Sequence, residues 1–404
     1  MHGRRAFVRS VGAGLALAGG AWMAPRLCRA AGLPQGAVDA AVLEALAGKR
    51  ALIKRSYRPP NYETPVEAFD SILTANDRFF VRWHLARISP VDANQWRLAV
   101  GGDAIERPLQ LTLDQLKQQF EPAELVAVCQ CAGNRRGLSD PHVPGVQWGH
   151  GAMGNARWKG ARLKDVLAKA GPKGSALEVA FDGADEPVLE RTPDFIKSIP
   201  LWKAQDENTL IAYEMNGEPL PHWNGFPARI VVPGWTATYW VKQVISIDVL
   251  SAPQGGFWMT TAYRIPKRKF PVIDRFISQE TAETTPITEM VVNSLITNLA
   301  DGQRFPKGSA IVIRGIAWDG GYGIHSVEVS TDDGRSWQTA ELASDPGRYS
   351  FVPWQHAFVP PGAGNYSVLA KATNRQGATQ TFELIFNPAG YHNNVVQRIQ
   401  IQAV

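Results

Sequence analysis

One thiol and two guanidiniums fall within the six residues Cys131-Ala-Gly-Asn-Arg-Arg136, two residues beyond the apolar run Leu125-Val-Ala-Val128. A thiolate binds soft or high-valent metals and a planar guanidinium fork suits an oxyanion, so a metal and an anion could share one pocket here. A second set lies in Phe79-Phe-Val-Arg-Trp-His84. On an extended strand Phe80, Arg82 and His84 share a face, which presents a cation and an imidazole beside an aromatic ring. Arg229 and Lys242 bracket a third stretch, Arg229-Ile-Val-Val-Pro-Gly234 through Trp240-Val241-Lys242. A fork, a point charge and free amides around a glycine turn are what a phosphate needs.

Positioning these groups falls to mixed elements. Residues 95–100 and 125–129 read as strands, Thr112 caps a helix running to Phe120, and residues 162–170 form an amphipathic helix. Residues 230–232 and 240–249, rich in branched and aromatic side chains, read as further strands. Ahead of them, residues 31–75 form an extended, Pro-rich lead with a helical stretch at 42–46. After Thr285 helix signals stop. Short alternating runs at 309–317, 326–330 and 366–372 are separated by Asp319-Gly-Gly-Tyr-Gly323, Asp332-Asp-Gly334 and Pro360-Pro-Gly362. The fold expectation is α+β over residues 76–284, followed by an all-β immunoglobulin-like sandwich over residues 285–404.

The chain of 404 residues exceeds the size at which a single core keeps growing, and 45% hydrophobic with 20% charged residues is ordinary for a globular protein. Residues 1–30 hold Arg4, Arg5, Arg9, Arg26 and Arg29, no acid, and a weakly apolar Ala/Gly/Leu stretch after the arginine pair. That pattern looks like a twin-arginine signal, which exports proteins already folded around a cofactor, and it places the mature chain in the periplasm. Without those five arginines 37 basic residues face 37 acidic ones, so nothing argues for binding nucleic acid or an anionic membrane. The apolar stretch is too short to span a bilayer. Of three cysteines, Cys28 lies at the edge of the signal, and Cys129 and Cys131 are spaced C-x-C, where a disulfide would close a strained ring. Free thiols in an oxidising compartment call for an explanation; Cys131 on a metal supplies one, and Cys129 is read as a small buried hydrophobe.

The hexapeptide Cys131–Arg136 resembles the segment around the metal-binding cysteine of the sulfite oxidase family of molybdenum enzymes. Phe79-Phe-Val-Arg-Trp-His84 is similar to the family's Phe-Phe-x-Arg-x-His, and Ala212-Tyr-Glu-Met-Asn-Gly-Glu-Pro-Leu-Pro221, Asn224-Gly-Phe-Pro-Ala-Arg229 and Trp240-Val-Lys242 are similar to its pterin-gripping text. The resemblance runs from Asn76 to the C-terminus, where Ser330-Thr-Asp-Asp-Gly-Arg-Ser-Trp337 resembles the family's dimerisation domain; the oligomeric state is left open. It implies Cys131 as the metal ligand. Phe80, His84, Asp185, Asn224, Arg229, Trp240, Val241 and Lys242 become molybdopterin contacts, and Arg82, Arg136, Tyr263 and Trp148 become substrate residues, with a core role as the alternative for Trp148. Many members have His at the position of Asn224 and Arg or His where Tyr239 and Trp240 stand here.

Implied with it is oxidation of sulfite to sulfate at molybdenum, the electrons passing singly to a c-type cytochrome. The sequence has no C-x-x-C-H for a haem of its own, no G-x-G-x-x-G with its acid for NAD, and no serine elbow. The rivals are a nitrate reductase-like or methionine sulfoxide reductase-like oxotransferase, and a non-enzymatic exported immunoglobulin-like binding protein.

Overall fold

The computed structural model describes residues 42–267, 283–344 and 346–404. The stretch 1–30 read as an export signal lies outside the described residues.

A five-strand sheet carries the thiol. Val126 and Val128 favour extended backbone, and Pro122–Gln130 pairs antiparallel with Met153–Arg162 from Pro122 opposite Ala161 to Gln130 opposite Met153. The sheet continues through Leu210–Met215 to Glu218–Pro219, with Arg229–Val231 also paired to Leu210–Met215. A second five-strand sheet, ordered Lys197–Pro200, Glu178–Gly183, Val244–Leu250, Leu98–Gly101, Leu109–Leu111, lies beside it. The helices are few and short. Leu113–Gln118 starts at Thr112 with both capping-box bonds, Gln115 N to Thr112 Oγ1 at 3.1 Å and Thr112 N to Gln115 Oε1 at 2.9 Å, and Leu163–Ala170 buries one apolar face. Trp148, Trp158 and Trp240 are completely buried in the core under both sheets, where truncating such a ring costs about 3–5 kcal/mol.

Two sequence expectations change here. Residues 42–46 are not helical: Leu43–Ala45 is an edge strand, and the lead folds into a sheet ordered Leu43–Ala45, Ala51–Ser56, Asn61–Glu63, Val81–Arg82. The alternation Leu52-Ile-Lys-Arg-Ser56 and the Arg82 strand need pairing partners, and the lead supplies them. The strand expected over 240–249 begins at Val244; Trp240 caps the tight turn Ala237–Tyr239 instead.

Beyond residue 283 the described chain is all β after Thr284–Pro286, itself paired with Arg264–Pro266. A four-strand and a five-strand sheet share a core of Ile311, Ile313, Trp354, Val327, Val368 and Ile399. Asp319, read as a turn residue, accepts from the amides of Gly321 (2.9 Å), Tyr322 (3.2 Å) and Gly323 (3.3 Å). This region also covers the free edge of Pro122–Gln130: Val128 N donates to Tyr349 O at 2.9 Å, and Trp318 Nε1 to Gln130 Oε1 at 2.6 Å. No helix among the described residues is long and apolar enough to cross a membrane.

Candidate active site

The ladder's last bond, Cys131 N to Ala152 O at 2.9 Å, fixes the thiol just past the end of its strand. The chain then turns on itself through Asn134 N to Cys131 O (2.9 Å) and Arg136 N to Gly133 O (3.0 Å). Here the left-handed residue is Arg135, at φ 68°, and a Cβ at Gly133 would lie 2.5 Å from the Arg136 guanidinium and displace it. Glu63, buried in the lead sheet, accepts from Gly149 N (2.9 Å), Gly151 N (2.8 Å) and Arg55 Nε (2.7 Å), which pins the loop facing the turn.

Two cavities meet at this thiol. The deeper one is bounded by Phe80, Arg82, His84, Cys131, Asn224, Arg229, Trp240, Lys242 and Tyr263, joined by Cys129 and Thr238. The outer one shares Arg82, His84, Cys131 and Tyr263 and adds Arg136, Trp258 and Tyr391. Cys131 thus stands where a buried chamber opens into a vestibule.

Positive charge dominates the deep chamber. Arg229 is buried and donates to Asn224 O (2.9 Å), Trp240 O (3.0 Å) and the Cys129 sulfur (3.8 Å), leaving its Nε without a partner. Burial pulls its pKa down. Lys242 lies over the Trp83 ring at 4.3 Å, and burial pushes Lys242 down and Asp185 up, each partly countered by the other's charge. Lys49 donates to Asn224 Oδ1 at 2.5 Å and is pulled to about 7 by burial. Thr238 Oγ1 on the wall is also unpaired. Fixed cations, an idle guanidinium N–H and an idle hydroxyl around a cavity with one nearby acid form a donor set for an anionic cofactor that brings its own phosphate. A thiol at the mouth adds a metal ligand. The donor chemistry of these residues fits molybdopterin and its metal: Arg229, Lys242, Asn224 and Thr238 would hold the pterin, and Cys131 would bind the metal. Lys242→Met is expected to weaken pterin retention by about 10- to 100-fold, the loss of one charge-assisted contact, measured as pterin per chain after dialysis.

In the vestibule Arg136 donates to Ala389 O (2.7 Å) and Val146 O (3.3 Å), and among the described residues no carboxylate pairs with it. Arg82 donates to Asn61 Oδ1 at 3.2 Å and to Trp83 O. Tyr263 follows the short helix Phe257–Thr260 at φ 60°, and its hydroxyl is bonded to His84 Nε2. His84 stacks on Phe195 at 3.6 Å, and burial, then Arg82, Lys242 and Lys197, holds its pKa well below the ordinary imidazole value, so the ring is neutral. Burial likewise pushes the Tyr263 hydroxyl up, keeping it protonated and able to donate.

Beneath the loop, His150 is buried with both ring nitrogens unpartnered, and burial followed by Arg135 and Arg55 drops its pKa to about 3. The native state refuses a proton that the unfolded imidazole accepts near 6.5, so stability is lost as pH falls from about 6.5 toward 3. Within that window His150→Leu is expected to remove one proton's worth of slope, roughly tenfold per pH unit in the unfolding constant, measured by denaturant titration at stepped pH.

Most of the sequence-derived residues converge on these cavities. Three stand back: Trp148 is completely buried in the core with its indole N–H unpartnered, Asp185 lies behind Lys242, and Val241 contributes its carbonyl to Ile230 N at 2.8 Å; none of the three lines either cavity. Cys129 is buried as read, yet its sulfur faces the chamber and accepts from Arg229. Lys49, Phe195, Thr238 and Tyr391 were not singled out from sequence. Lys49 sits in the lead without a motif around it, and only the tertiary fold carries it 175 positions to Asn224.

Comparison with known proteins bears on the family. The oxidoreductase molybdopterin binding domain matches residues 84–258, and the Mo-co oxidoreductase dimerisation domain matches residues 284–404. The sulfite oxidase of Arabidopsis thaliana is 34% identical over 303 residues, covering 72% of this chain and 75% of that protein. Mitochondrial sulfite oxidase of Rattus norvegicus is 35% identical over 371 residues; the match covers 88% of this chain and spans 66% of the rat protein. A crystal structure of the sulfane dehydrogenase SoxCD from Paracoccus pantotrophus shares the fold at TM-score 0.73, with 24% identity, 95% of this chain and 93% of that one covered. With its thiol, its cation-lined chamber and both domain matches in the expected order, the chain belongs to the sulfite oxidase family of molybdopterin-binding oxidoreductases.

Proposed function

We propose that this protein oxidises sulfite to sulfate at molybdenum held by Cys131, and that the two electrons leave singly to a separate c-type cytochrome. The observation that carries the reading is the position of the Cys131 thiol at the junction of a cation-lined chamber and a vestibule holding Arg82 and Arg136. Export through the twin-arginine route to the periplasm belongs to the same proposal, resting on Arg4-Arg5 and the stretch after it, as does an immunoglobulin-like topology for the C-terminal sheet pair.

The chain's own part is binding and orientation. Arg82 and Arg136 offer two fixed cations to a dianion, and neither needs to break an ion pair first, which keeps reorganisation small. Tyr263 presents a protonated hydroxyl anchored on neutral His84, a donor for one substrate oxygen. Trp258, Pro144 and Pro388 narrow the vestibule with apolar surface, so the arginines meet the anion in a partly desolvated setting where each contact is stronger. Molybdenum with its pterin, when bound, supplies oxygen transfer and the two-electron store.

The purified protein is expected to carry one molybdenum per chain and to reduce cytochrome c in the presence of sulfite but not of nitrite. Molybdenum-loaded protein that ignores sulfite and turns over nitrate or methionine sulfoxide would replace this reading with one of its rivals. A folded protein free of pterin and metal after expression with cofactor supply would leave a binding protein.

A further inference from the structure

We propose that Tyr391, supplied by the C-terminal region, is a positioning residue for the anion site, locking Arg136 and Tyr263 into a single stacked layer. The inference rests on the sulfite reading above and extends it to a residue that none of the quoted sequence motifs contains.

Tyr391 contacts both substrate groups. Its ring is stacked on Tyr263 at 5.5 Å between centroids and 13° between planes, and the Arg136 guanidinium lies over it at 5.3 Å. The layer guanidinium, ring, ring therefore runs across the boundary between the N-terminal sheets and the C-terminal region. The segment that presents Tyr391 is itself closed. In Asn387-Pro-Ala-Gly-Tyr391 the Asn387 amide donates to Tyr391 O at 2.7 Å and accepts from Tyr391 N at 2.9 Å, and Gly390 N donates to Asn387 O at 3.0 Å. Gly390 sits at φ 60°, and a Cβ there would lie 2.8 Å from Arg136 Cγ and 2.6 Å from Val143 Cγ2, so the turn hugs the arginine stem. The same turn gives Arg136 its shortest bond, Nε to Ala389 O at 2.7 Å.

This arrangement does something that core packing alone would not require. Both protein acceptors of Arg136 are neutral carbonyls, Ala389 O and Val146 O, and a ring face adds attraction without neutralising the charge. The guanidinium is held still while its charge stays available to an incoming dianion. Burial, and then Tyr263, pushes the Tyr391 hydroxyl up, so no second anion competes with the substrate for Arg136. Pro388, Ala389 and Tyr391 also form one wall of the vestibule, so the turn shapes the space in front of the cation it holds.

The test compares Tyr391→Leu, Tyr391→Phe and Asn387→Ala in the molybdenum-loaded full chain. Two readouts are the Michaelis constant for sulfite with ferricyanide as acceptor, and the dissociation constant of sulfate by titration calorimetry on the resting enzyme. Tyr391→Leu is expected to raise both constants by about tenfold or more with kcat changed by less than about threefold, and Tyr391→Phe, which keeps the ring, to stay within about twofold of wild type. Asn387→Ala, which only loosens the turn, is expected to move both constants the same way by a smaller factor, and it carries the test should Tyr391→Leu fail to fold. Variants with lowered thermal stability but unchanged sulfite and sulfate constants would overturn the proposal and leave Tyr391 a packing residue. A wild-type enzyme that neither oxidises sulfite nor binds sulfate would overturn the substrate reading itself, an outcome separable from the first.

Discussion

Cys131→Ser is expected to give a folded chain that keeps its pterin and loses more than about 100-fold of its sulfite turnover. The two halves of that expectation come from different parts of the site. Retention of the pterin rests on Arg229, Lys242 and Asn224, which lie deeper and do not depend on the thiol. Changing partners that merely orient a metal ligand already costs about 10- to 100-fold, so removing a direct ligand should exceed that. Folding should survive because serine is nearly isosteric and the backbone bond from residue 131 to Ala152 remains. The cost is one buried hydroxyl in a cavity wall, about 1–3 kcal/mol at most. Pterin fluorescence after release, molybdenum assay and steady-state turnover on the same preparation check all three parts. A variant with full turnover would remove Cys131 from the metal.

The second large effect belongs to Arg136→Gln. Its guanidinium is buried, bonded only to carbonyls, and aimed into the vestibule, so its full charge is available to a dianion. Losing one charge-assisted contact of about 1.5–3 kcal/mol should lower kcat/KM by about 10- to 100-fold, carried mainly by KM because the contact forms with substrate as well as with the transition state. Gln is shorter, but its amide nitrogen falls where Arg136 Nε stands, so the Ala389 contact can persist while the charge and the two terminal nitrogens are lost. An unchanged KM with only a lowered unfolding temperature would make the arginine structural. Arg135 offers the contrast: it donates to Asn293 Oδ1 at 2.8 Å and Val395 O at 2.5 Å, lines neither cavity, and ties the turn to the C-terminal region.

The contrast between these two neighbours shows how far the sequence could be read. Local chemistry was legible: the thiol after an apolar run, the helix cap at Thr112, and the turns at Asp319 and Asp332 all depend on side chains acting within a few positions. Arg135 and Arg136 look alike in sequence, and only the left-handed φ of Arg135 sends one guanidinium to the C-terminal region and the other to the vestibule. The left-handed residue of the turn after the thiol is Arg135, at φ 68°, and not the glycine two positions before it. Residues 42–46 were read as helical because three residues of an edge strand carry too short a period to be told from a helical turn, and the partner strand Ala51–Ser56 decides the matter. The long-range contributors, Lys49 on Asn224 and Tyr391 against Arg136 and Tyr263, leave no local signature. Their role exists only after the sheets bring distant segments together.

The most direct measurement is X-ray absorption at the molybdenum edge on the purified wild type and on Cys131→Ser. The account expects one molybdenum per chain and one fewer sulfur neighbour in the variant. Identical sulfur coordination in the two proteins, or wild-type protein with no molybdenum after expression with cofactor supply, would contradict it.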